Sequence, residues 1–250
     1  MLPAIVAFLI GFFLATTARA DHENEGSCKG GADYYLQQSA VREDGQVARD
    51  GVRADITRMA NPTPIPKTAV IRSIYLFKSN GIDMVEFGWH WTGDLGFTPP
   101  GVVTADSPVA FAARQIGGQH VVSEGDPSNP GHGWVPEGAR TFRISRNVPG
   151  GEPSTYFFYR DGQYFGKFYN PNLNTGGQPT GAAEAKGPCD TMWSTFEALD
   201  RQANINGSWA DWNNAFRFAD ANTKWFYSDK TDNPPQWYLR HCANAWCPNV

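Results

Sequence analysis

Two glutamates and one histidine are the side chains of this sequence that are best placed to do chemistry. Glu86 and His90 lie in the segment 83–91, where apolar and polar residues alternate as they do in a β-strand. The alternation puts Glu86 and His90 on one face with Gly88 between them, and the glycine is expected to leave open space beside both side chains. A carboxylate and an imidazole above such a gap are typical of a binding or catalytic groove.

The second candidate carboxylate is Glu184, which lies among small residues in the segment 181–187. Small neighbours allow a backbone or a substrate to approach the carboxylate closely. If Glu86 and Glu184 share a groove, repulsion between the two charges raises one pKa, and the pair can hold a single proton. Such a pair can activate a water molecule and protonate a leaving group. The plain alternative is a hydrogen-bonded strand residue at Glu86 and a solvated loop residue at Glu184.

Several other catalytic signatures are absent from the sequence. It contains no G-x-S-x-G elbow, no D-T-G or D-S-G step, no H-E-x-x-H helix, no P-loop and no G-x-G-x-x-G turn. The segments 211–214 and 229–233 lack the regular spacing of a calcium loop, and we expect both to be solvated loops. The sequence therefore predicts no metal site and no cofactor.

The first 20 residues are predicted to be a cleaved signal peptide. A short apolar run covers residues 4–15, and small residues at Ala18 and Ala20 follow where a signal peptidase cleaves. We therefore expect a secreted, extracellular protein whose mature chain begins at Asp21 and has no membrane segment. The net charge is −4, and no basic run is present to follow phosphates, so nucleic acid is not an expected partner.

An even number of cysteines behind a signal peptide favours two disulfides. Cys28, Cys189, Cys242 and Cys247 allow three pairings. The short spacing favours a bond between Cys242 and Cys247, which leaves Cys28 and Cys189 to tie the N-terminus to the body. A zinc site is the alternative, but the sequence has no C-x-x-C pair and His241 is the only histidine beside these cysteines.

Composition and turn signals predict an all-β fold, an antiparallel β-sandwich of one domain. The chain has 26 Gly, 18 Pro and, among aromatics, 9 Trp, 9 Tyr and 16 Phe, which indicates many short strands and turns. We expect an N-terminal extension over 21–50, the sandwich over 51–250 and a monomer. Strand-like runs cover 52–59, 68–78, 83–91, 109–116, 140–146 and 191–199, a surface loop covers 123–138, and a stiff proline-rich connector covers 61–66.

Two turns and one aromatic cluster refine this prediction. The step Asn80-Gly81 indicates a hairpin that leads into the Glu86 strand. A second hairpin over 156–168 turns at Asp161-Gly162, which is expected to pair Tyr159 with Tyr164 and Phe158 with Phe165. Near the C-terminus Trp209, Trp212 and Phe216 fit helical spacing, so a short helix packing on the sheet is an additional possibility.

The strand around Glu86 resembles a known family. The string Met84-Val85-Glu86-Phe87-Gly88-Trp89 resembles the I-E-x-G-W strand of the neprosin family, and residues 182–185 resemble that family's G-G-E-V step, with Ala182 and Ala183 in place of the glycines. The resemblance implies a glutamic endopeptidase on a β-sandwich, with Glu86 and Glu184 as its catalytic pair at acidic pH. The hairpin 158–166 is similar to the F-Y-V-D-G-x-x-V-G hairpin of concanavalin A-like lectins and glucanases, which are also sandwiches.

Three functions remain open on the sequence alone. In a glutamic endopeptidase that cleaves polypeptides, His90 would tune the carboxylates or bind substrate. In a carbohydrate-binding, lectin-like domain, Trp134 and the C-terminal tryptophans would stack on sugar rings of a polysaccharide, and a glycosidase would use the same two glutamates. The third possibility is a secreted interaction protein without catalysis, and fold alone does not choose among the three.

Overall fold

A computed structural model describes most of the chain between residues 34 and 241. The described residues are 34–43, 48–58, 69–92, 108–125, 133–146, 153–188, 194–205, 208–212, 215–219, 225–230 and 236–241. Side chains are described within 48–57, 71–90, 108–125, 133–146, 153–182 and 208–212. The signal peptide over 1–20, the connector over 61–66 and the cysteines Cys28, Cys189, Cys242 and Cys247 lie outside the described residues, and these stay predictions.

The described residues form fifteen β-strands and one short 3-10 helix. The strands are β1 (Tyr34–Glu43), β2 (Gly51–Arg58), β3 (Ala69–Phe77), β4 (Met84–Thr92), β5 (Val109–Ile116), β6 (Gln119–Glu124), β7 (Gly138–Ser145), β8 (Thr155–Arg160), β9 (Gln163–Tyr169), β10 (Gln178–Pro188), β11 (Ser194–Ile205), β12 (Ser208–Asp211), β13 (Ala215–Ala219), β14 (Trp225–Lys230) and β15 (Gln236–His241), and the helix is Pro171–Leu173. That helix is the only one described, and it is far too short to cross a membrane.

Two antiparallel sheets pack face to face, which confirms the predicted all-β sandwich. The first sheet has the strand order β13-β1-β10-β3-β4-β5-β6. The second has the order β14-β15-β11-β2-β7-β8-β9, and β12 pairs with β11 beside it. The strand β4, which carries Glu86 and His90, therefore lies between β3 and β5 in the first sheet.

The core between the sheets is built from alternate residues of the central strands. The ring of Phe87 lies at its centre, with ring centroids 5.0 Å from Phe142, 5.5 Å from Phe158 and 5.0 Å from Phe165. Tilted and edge-on aromatic pairs of this kind stabilise a core beyond the effect of their buried area alone. The buried core residues of β4 are Val85, Phe87 and Trp89, which confirms the predicted alternation of this strand, and they pack with Val52, Ala54, Ile56, Ile74, Leu76, Ala110, Ala112, Ile144 and Tyr156.

The hairpin of β8 and β9 agrees with the prediction at one aromatic pair and departs from it at the other. Tyr159 pairs with Tyr164 as predicted, and their ring centroids are 5.9 Å apart. The predicted pairing of Phe158 with Phe165 is wrong, because an irregularity in the ladder beyond Tyr159 sets Phe158 opposite Gly166. The inserted residue is Phe165, and its ring packs against the core instead.

The predicted helix near the C-terminus is also wrong. Trp209 lies in β12, which pairs with β11, and Phe216 lies in β13, which pairs with β1. Trp212 directly follows β12 and is buried in the core, so its ring packs there as predicted although it is not part of a helix. Strand β1 falls in the segment 21–50, where the sequence predicts an extension, and the structure places it between β13 and β10 in the first sheet.

Asp83 ties three turns together at one end of the sandwich. It is 2% exposed, and its Oδ1 accepts hydrogen bonds from the backbone N–H of Gly117 at 2.9 Å and from Nδ2 of Asn172 at 2.8 Å. Nδ2 of Asn80 donates to its Oδ2. Burial alone would raise the pKa of Asp83, but these hydrogen bonds and the nearby charge of Lys78 outweigh burial, and its pKa lies below the ordinary value.

Candidate functional site

Glu86 lies on the outer face of the first sheet, which is the face turned away from the core. Its cross-strand neighbours are Tyr75 of β3 and Ala113 of β5. The face is nevertheless well covered at this point, since Glu86 is only 8% exposed, Tyr75 is 6% exposed and Ala113 is fully buried. Burial disfavours the charged carboxylate and raises the pKa of Glu86 from 4.5 to about 7.

The hydroxyl of Ser73 is the described hydrogen-bond partner of this carboxylate. Ser73 Oγ donates to Glu86 Oε1 at 2.6 Å, and Ser73 is fully buried. A hydrogen bond to the charged form lowers the pKa, so Ser73 acts against the effect of burial. Glu86 is therefore a carboxyl group that changes its protonation state near neutral pH, with one oxygen held in place by a neighbouring strand.

Gly88 has a different role from the one expected. The predicted open space beside Glu86 is wrong, because Ser73 of β3 occupies it. A Cβ atom at Gly88 would overlap the carbonyl oxygen of Arg72 and lie only 2.6 and 2.7 Å from the Cα and Cβ atoms of Ser73. The glycine thus permits the close approach of two backbones, and this approach brings the hydroxyl of Ser73 to Glu86.

His90 forms a second buried polar contact on the same face. Its Nε2 atom lies 2.5 Å from Oε1 of Glu124, and the two side chains are 6% and 5% exposed. The ring of Phe111 meets the imidazole edge-on, with centroids 5.4 Å apart. The sequence did not single out Glu124, because it lies in the range 123–138 that was predicted as a loop, whereas β6 continues to Glu124.

The strand register places three of the predicted site residues in one row across the first sheet. Glu184 of β10 is opposite Ile71, Ile71 is opposite His90, and His90 is opposite Val109. Val109 forms an isolated bridge with Trp134, which is 36% exposed. These five positions are called the His90 row below. The sequence gives little indication of this row, because the alignment of its residues depends on pairing among four strands and a loop.

Glu86 lies outside the His90 row. It is four residues from His90 along β4, and Glu184 lies two strands away on β10, on the same face by alternation. This offset corresponds to roughly 16 Å between the Cα atoms of Glu86 and Glu184. Two carboxylates can share a proton only at hydrogen-bond distance, so this register does not support a Glu86–Glu184 pair that holds a single proton. The side chain of Glu184 is outside the described ones, and its catalytic role stays a prediction.

The described residues include no group of three or more His, Cys, Asp or Glu side chains that could hold a metal ion. The carboxyl group of Glu86 can accept a proton when it is ionised and donate one when it is protonated. Ser73 and Glu124 are the two partners of the site that sequence patterns alone did not select. Ser73 comes from the neighbouring strand β3, and Glu124 comes from β6, two strands away from β4.

Comparison with known proteins identifies the fold. No family model and no curated protein matches the chain. Among solved structures, scytalido-glutamic peptidase with a peptide-based transition state analogue matches with a TM-score of 0.51 and 11% identity, over 85% of this chain and 100% of that chain. SCP-B, a member of the eqolisin family of peptidases, in complex with the tripeptide Ala-Ile-His, matches with a TM-score of 0.48 and 11% identity, over 85% of this chain and 100% of that one.

A carbohydrate-binding module, CBM66 from Bacillus subtilis, matches less well, with a TM-score of 0.38 and 10% identity over 60% of this chain and 82% of that chain. At such low identities a likeness establishes the fold and leaves the reaction open. The chain is therefore a two-sheet β-sandwich similar in fold to scytalido-glutamic peptidase.

Proposed function

We propose that this chain is a glutamic-peptidase-like hydrolase in which Glu86 is the acid–base carboxylate. The observation that carries this proposal is the environment of Glu86, which is buried, has a pKa raised to about 7 and has Oε1 held by Ser73. Perturbed carboxyl groups of this kind are concentrated at functional sites. The fold similarity to scytalido-glutamic peptidase and the neprosin-like string around Glu86 support the same reading.

In the proposed reaction the Oε2 atom of ionised Glu86 takes a proton from a water molecule. The oxygen of that water forms a bond to the scissile carbonyl carbon, the carbon–nitrogen bond then breaks, and protonated Glu86 returns the proton to the leaving amine. A group whose pKa lies near the working pH can act first as the general base and then as the general acid. The sequence assigns the second carboxylate, which would polarise the carbonyl, to Glu184.

The His90 row is the proposed substrate-binding part of the site. Trp134 supplies an exposed ring, and the contact of His90 with Glu124 supplies a buried polar pair beside it. An extended polypeptide that crosses β10, β3 and β4 would pass both this row and Glu86. The proposed location of this activity is outside the cell, which rests on the predicted signal peptide and the even number of cysteines, and N-terminal sequencing of the exported chain would test it.

The proposal is tested by hydrolysis of a denatured protein between pH 2 and 8. Wild type should cleave with an acidic to neutral optimum, and Glu86→Gln, which removes the base, should lose at least 100-fold in rate, as expected for general acid–base catalysis. Glu184→Gln shows whether the second carboxylate takes part, and the exposed Glu137→Gln serves as the matched control. Cleavage by Glu86→Gln at the wild-type rate would exclude this role of Glu86.

Sugar binding is the second candidate function, and the exposure of Trp134 in the His90 row favours it. If the folded wild type cleaves no polypeptide at any pH, a glycan array with wild type and Trp134→Ala becomes the deciding experiment. Binding lost in Trp134→Ala would support a lectin-like site, and binding that is unchanged would exclude this row.

A further inference from the structure

The outer face of the second sheet carries aromatic and basic side chains in a line, called the arginine–aromatic row below. Arg53 of β2 is directly opposite Arg143 of β7, Arg143 is opposite Tyr159 of β8, and Tyr159 is opposite Tyr164 of β9. The β12 residue in register with Arg53, through Gln202 of β11, is Asp211, and the ring of Trp209, two residues before it, lies beneath the guanidinium of Arg53. The alternate residues of these central strands, among them Val52 and Phe142, fill the core, so the row faces away from it.

Each arginine of this row lies over an aromatic ring. The Cζ atom of Arg143 is 3.9 Å from the ring centroid of Tyr159, and that of Arg53 is 5.2 Å from the ring of Trp209. Stacking on a ring fixes a guanidinium group and leaves its N–H donors arranged in a plane that suits a carboxylate. The row therefore presents ordered cations, in contrast to flexible surface lysines.

Two arginines directly opposite each other in a strand pair repel and reduce stability. The chain as a whole is acidic, with a net charge of −4, so this pair is a local exception to the overall charge. The carboxylate of Asp55, on the same face of β2, accepts a hydrogen bond from the hydroxyl of Thr141 at 2.5 Å. Among the described residues, Nε of Arg143 is buried and has no hydrogen-bond partner. A ligand with carboxylates would bring opposite charge to this pair.

The shape of the row indicates a polymer. From β12 to β9 it crosses five strand spacings, which is roughly 24 Å. Tyr164 at one end is 49% exposed, and Tyr159 and Trp209 are partly exposed. The spacing of strands is close to the repeat of sugars in an extended polysaccharide, and aromatic rings pack well against the C–H faces of pyranoses. The aromatic rings are the feature that favours a sugar polymer over an acidic peptide.

We propose that the arginine–aromatic row binds an acidic polysaccharide, which is a chain of uronic acid units. Its carboxylates would bind Arg143 and Arg53. Its sugar rings would stack on Tyr159, Tyr164 and Trp209. This site lies on the sheet opposite to that of Glu86 and does not depend on the hydrolase proposal. It would hold the protein on a polyuronate matrix whether or not it cleaves anything.

Affinity electrophoresis in native gels that contain polygalacturonate tests this site, with dextran as the neutral polymer. Wild type should be retarded by polygalacturonate and not by dextran. Arg143→Gln should weaken binding about tenfold, as expected for the loss of a charged hydrogen bond, and Tyr164→Ala should also weaken it. Circular dichroism confirms that each variant is folded.

The sheet offers matched controls for both substitutions. Lys167 of β9 is an exposed cation opposite Phe157, and Tyr169 is 49% exposed like Tyr164 but is opposite Thr155, so both lie outside the row. Lys167→Gln and Tyr169→Ala should bind as wild type does, and so should Glu86→Gln, which separates this site from the hydrolase. Absence of retardation, equal losses in the controls, or binding to poly-glutamate with none to polygalacturonate would overturn the proposal.

Discussion

Ser73 donates its hydroxyl proton to Glu86 at 2.6 Å, across a strand pair in which the opposing residue of Ser73 is Gly88. The absence of a side chain at Gly88 and the protonation behaviour of Glu86 are thus connected through one serine. Sequence inspection places a gap beside the carboxylate, whereas the structure fills that gap with the group that adjusts its acidity.

Replacement of Ser73 should shift the titration of Glu86. In Ser73→Ala the ionised carboxylate loses its hydrogen bond while burial remains, so the pKa of Glu86 should rise further, by about one unit. Carbon-13 NMR titration of the glutamate carboxyls would measure this shift, and the acidic limb of any pH–rate profile should move with it. Ser79→Ala, at an exposed turn position, is the control. An unchanged titration would contradict the role of Ser73.

Glu86 should make the protein less stable as pH rises. Its pKa is raised in the fold, so the favourable contribution of the protonated form is present below pH 4.5 and is lost as pH rises through about 7. Relative to Glu86→Gln, wild type should lose roughly 3 kcal/mol of unfolding free energy between pH 4 and pH 8. Urea denaturation of both proteins across this range measures the difference, and a constant difference would refute it.

Gly88→Ala should be strongly destabilising. The added methyl group meets backbone atoms of Arg72 and Ser73, which cannot move without displacing β3, so we expect a loss of at least about 2 kcal/mol. Thermal unfolding measures it. Gly166 in β9 is the matched control, because a Cβ atom there meets nothing within 4 Å. Equal effects of Gly88→Ala and Gly166→Ala would mean that the close approach is not important.

The contact between His90 and Glu124 should behave as one energetic unit. Removal of either partner takes a polar contact away from a buried side chain, so His90→Gln and Glu124→Gln should each cost about 3 kcal/mol. The double variant should cost clearly less than the two single losses added together, because the first substitution already removes the contact that the second would remove. Urea denaturation of wild type, the two single variants and the double variant at pH 6 gives this double-mutant cycle. Strictly additive losses of unfolding free energy would show that the two groups do not interact.

Asp83→Asn should loosen the turns that meet at this residue. The carboxylate accepts from Gly117, Asn172 and Asn80, and an amide cannot accept as many hydrogen bonds, so we expect a loss of about 1–3 kcal/mol. Because the pKa of Asp83 is lowered in the fold, the wild-type advantage should disappear as pH falls through that value. Asp211→Asn, at an exposed position, is the control for charge alone.

The sequence contains much of the local information for this fold. Pairing about Asn80-Gly81 already implies that Ser73 is opposite Gly88, and the observed register agrees, with Phe77 opposite Met84. The alternation in β4 likewise predicts which face of the strand packs in the core. Local patterns do not reveal the irregularity beyond Tyr159, because one extra residue in a strand leaves its composition unchanged. Only packing against the core shows which face of the sheet Phe165 occupies.

Contacts between distant segments explain the remaining differences. Glu124 becomes a partner of His90 only because β6 pairs with β5, and β5 with β4. Trp209 fits helical spacing, but pairing of β12 with β11 outweighs that local preference. The separation of Glu86 from Glu184 follows in the same way from the register of β10 on β3, which neither short string around the glutamates contains.

The position of β1 has a consequence for the order in which this protein can fold. As the chain is synthesised, β1 emerges first, yet its two neighbours are β10, where Tyr34 meets Pro188, and β13, where Ser39 meets Ala219. Neither edge of β1 can therefore pair until most of the chain has been synthesised, and contacts so distant in sequence form slowly. An unpaired strand edge is prone to join other chains during that interval. Folding yield should therefore depend on protein concentration and on chaperones that shield this strand.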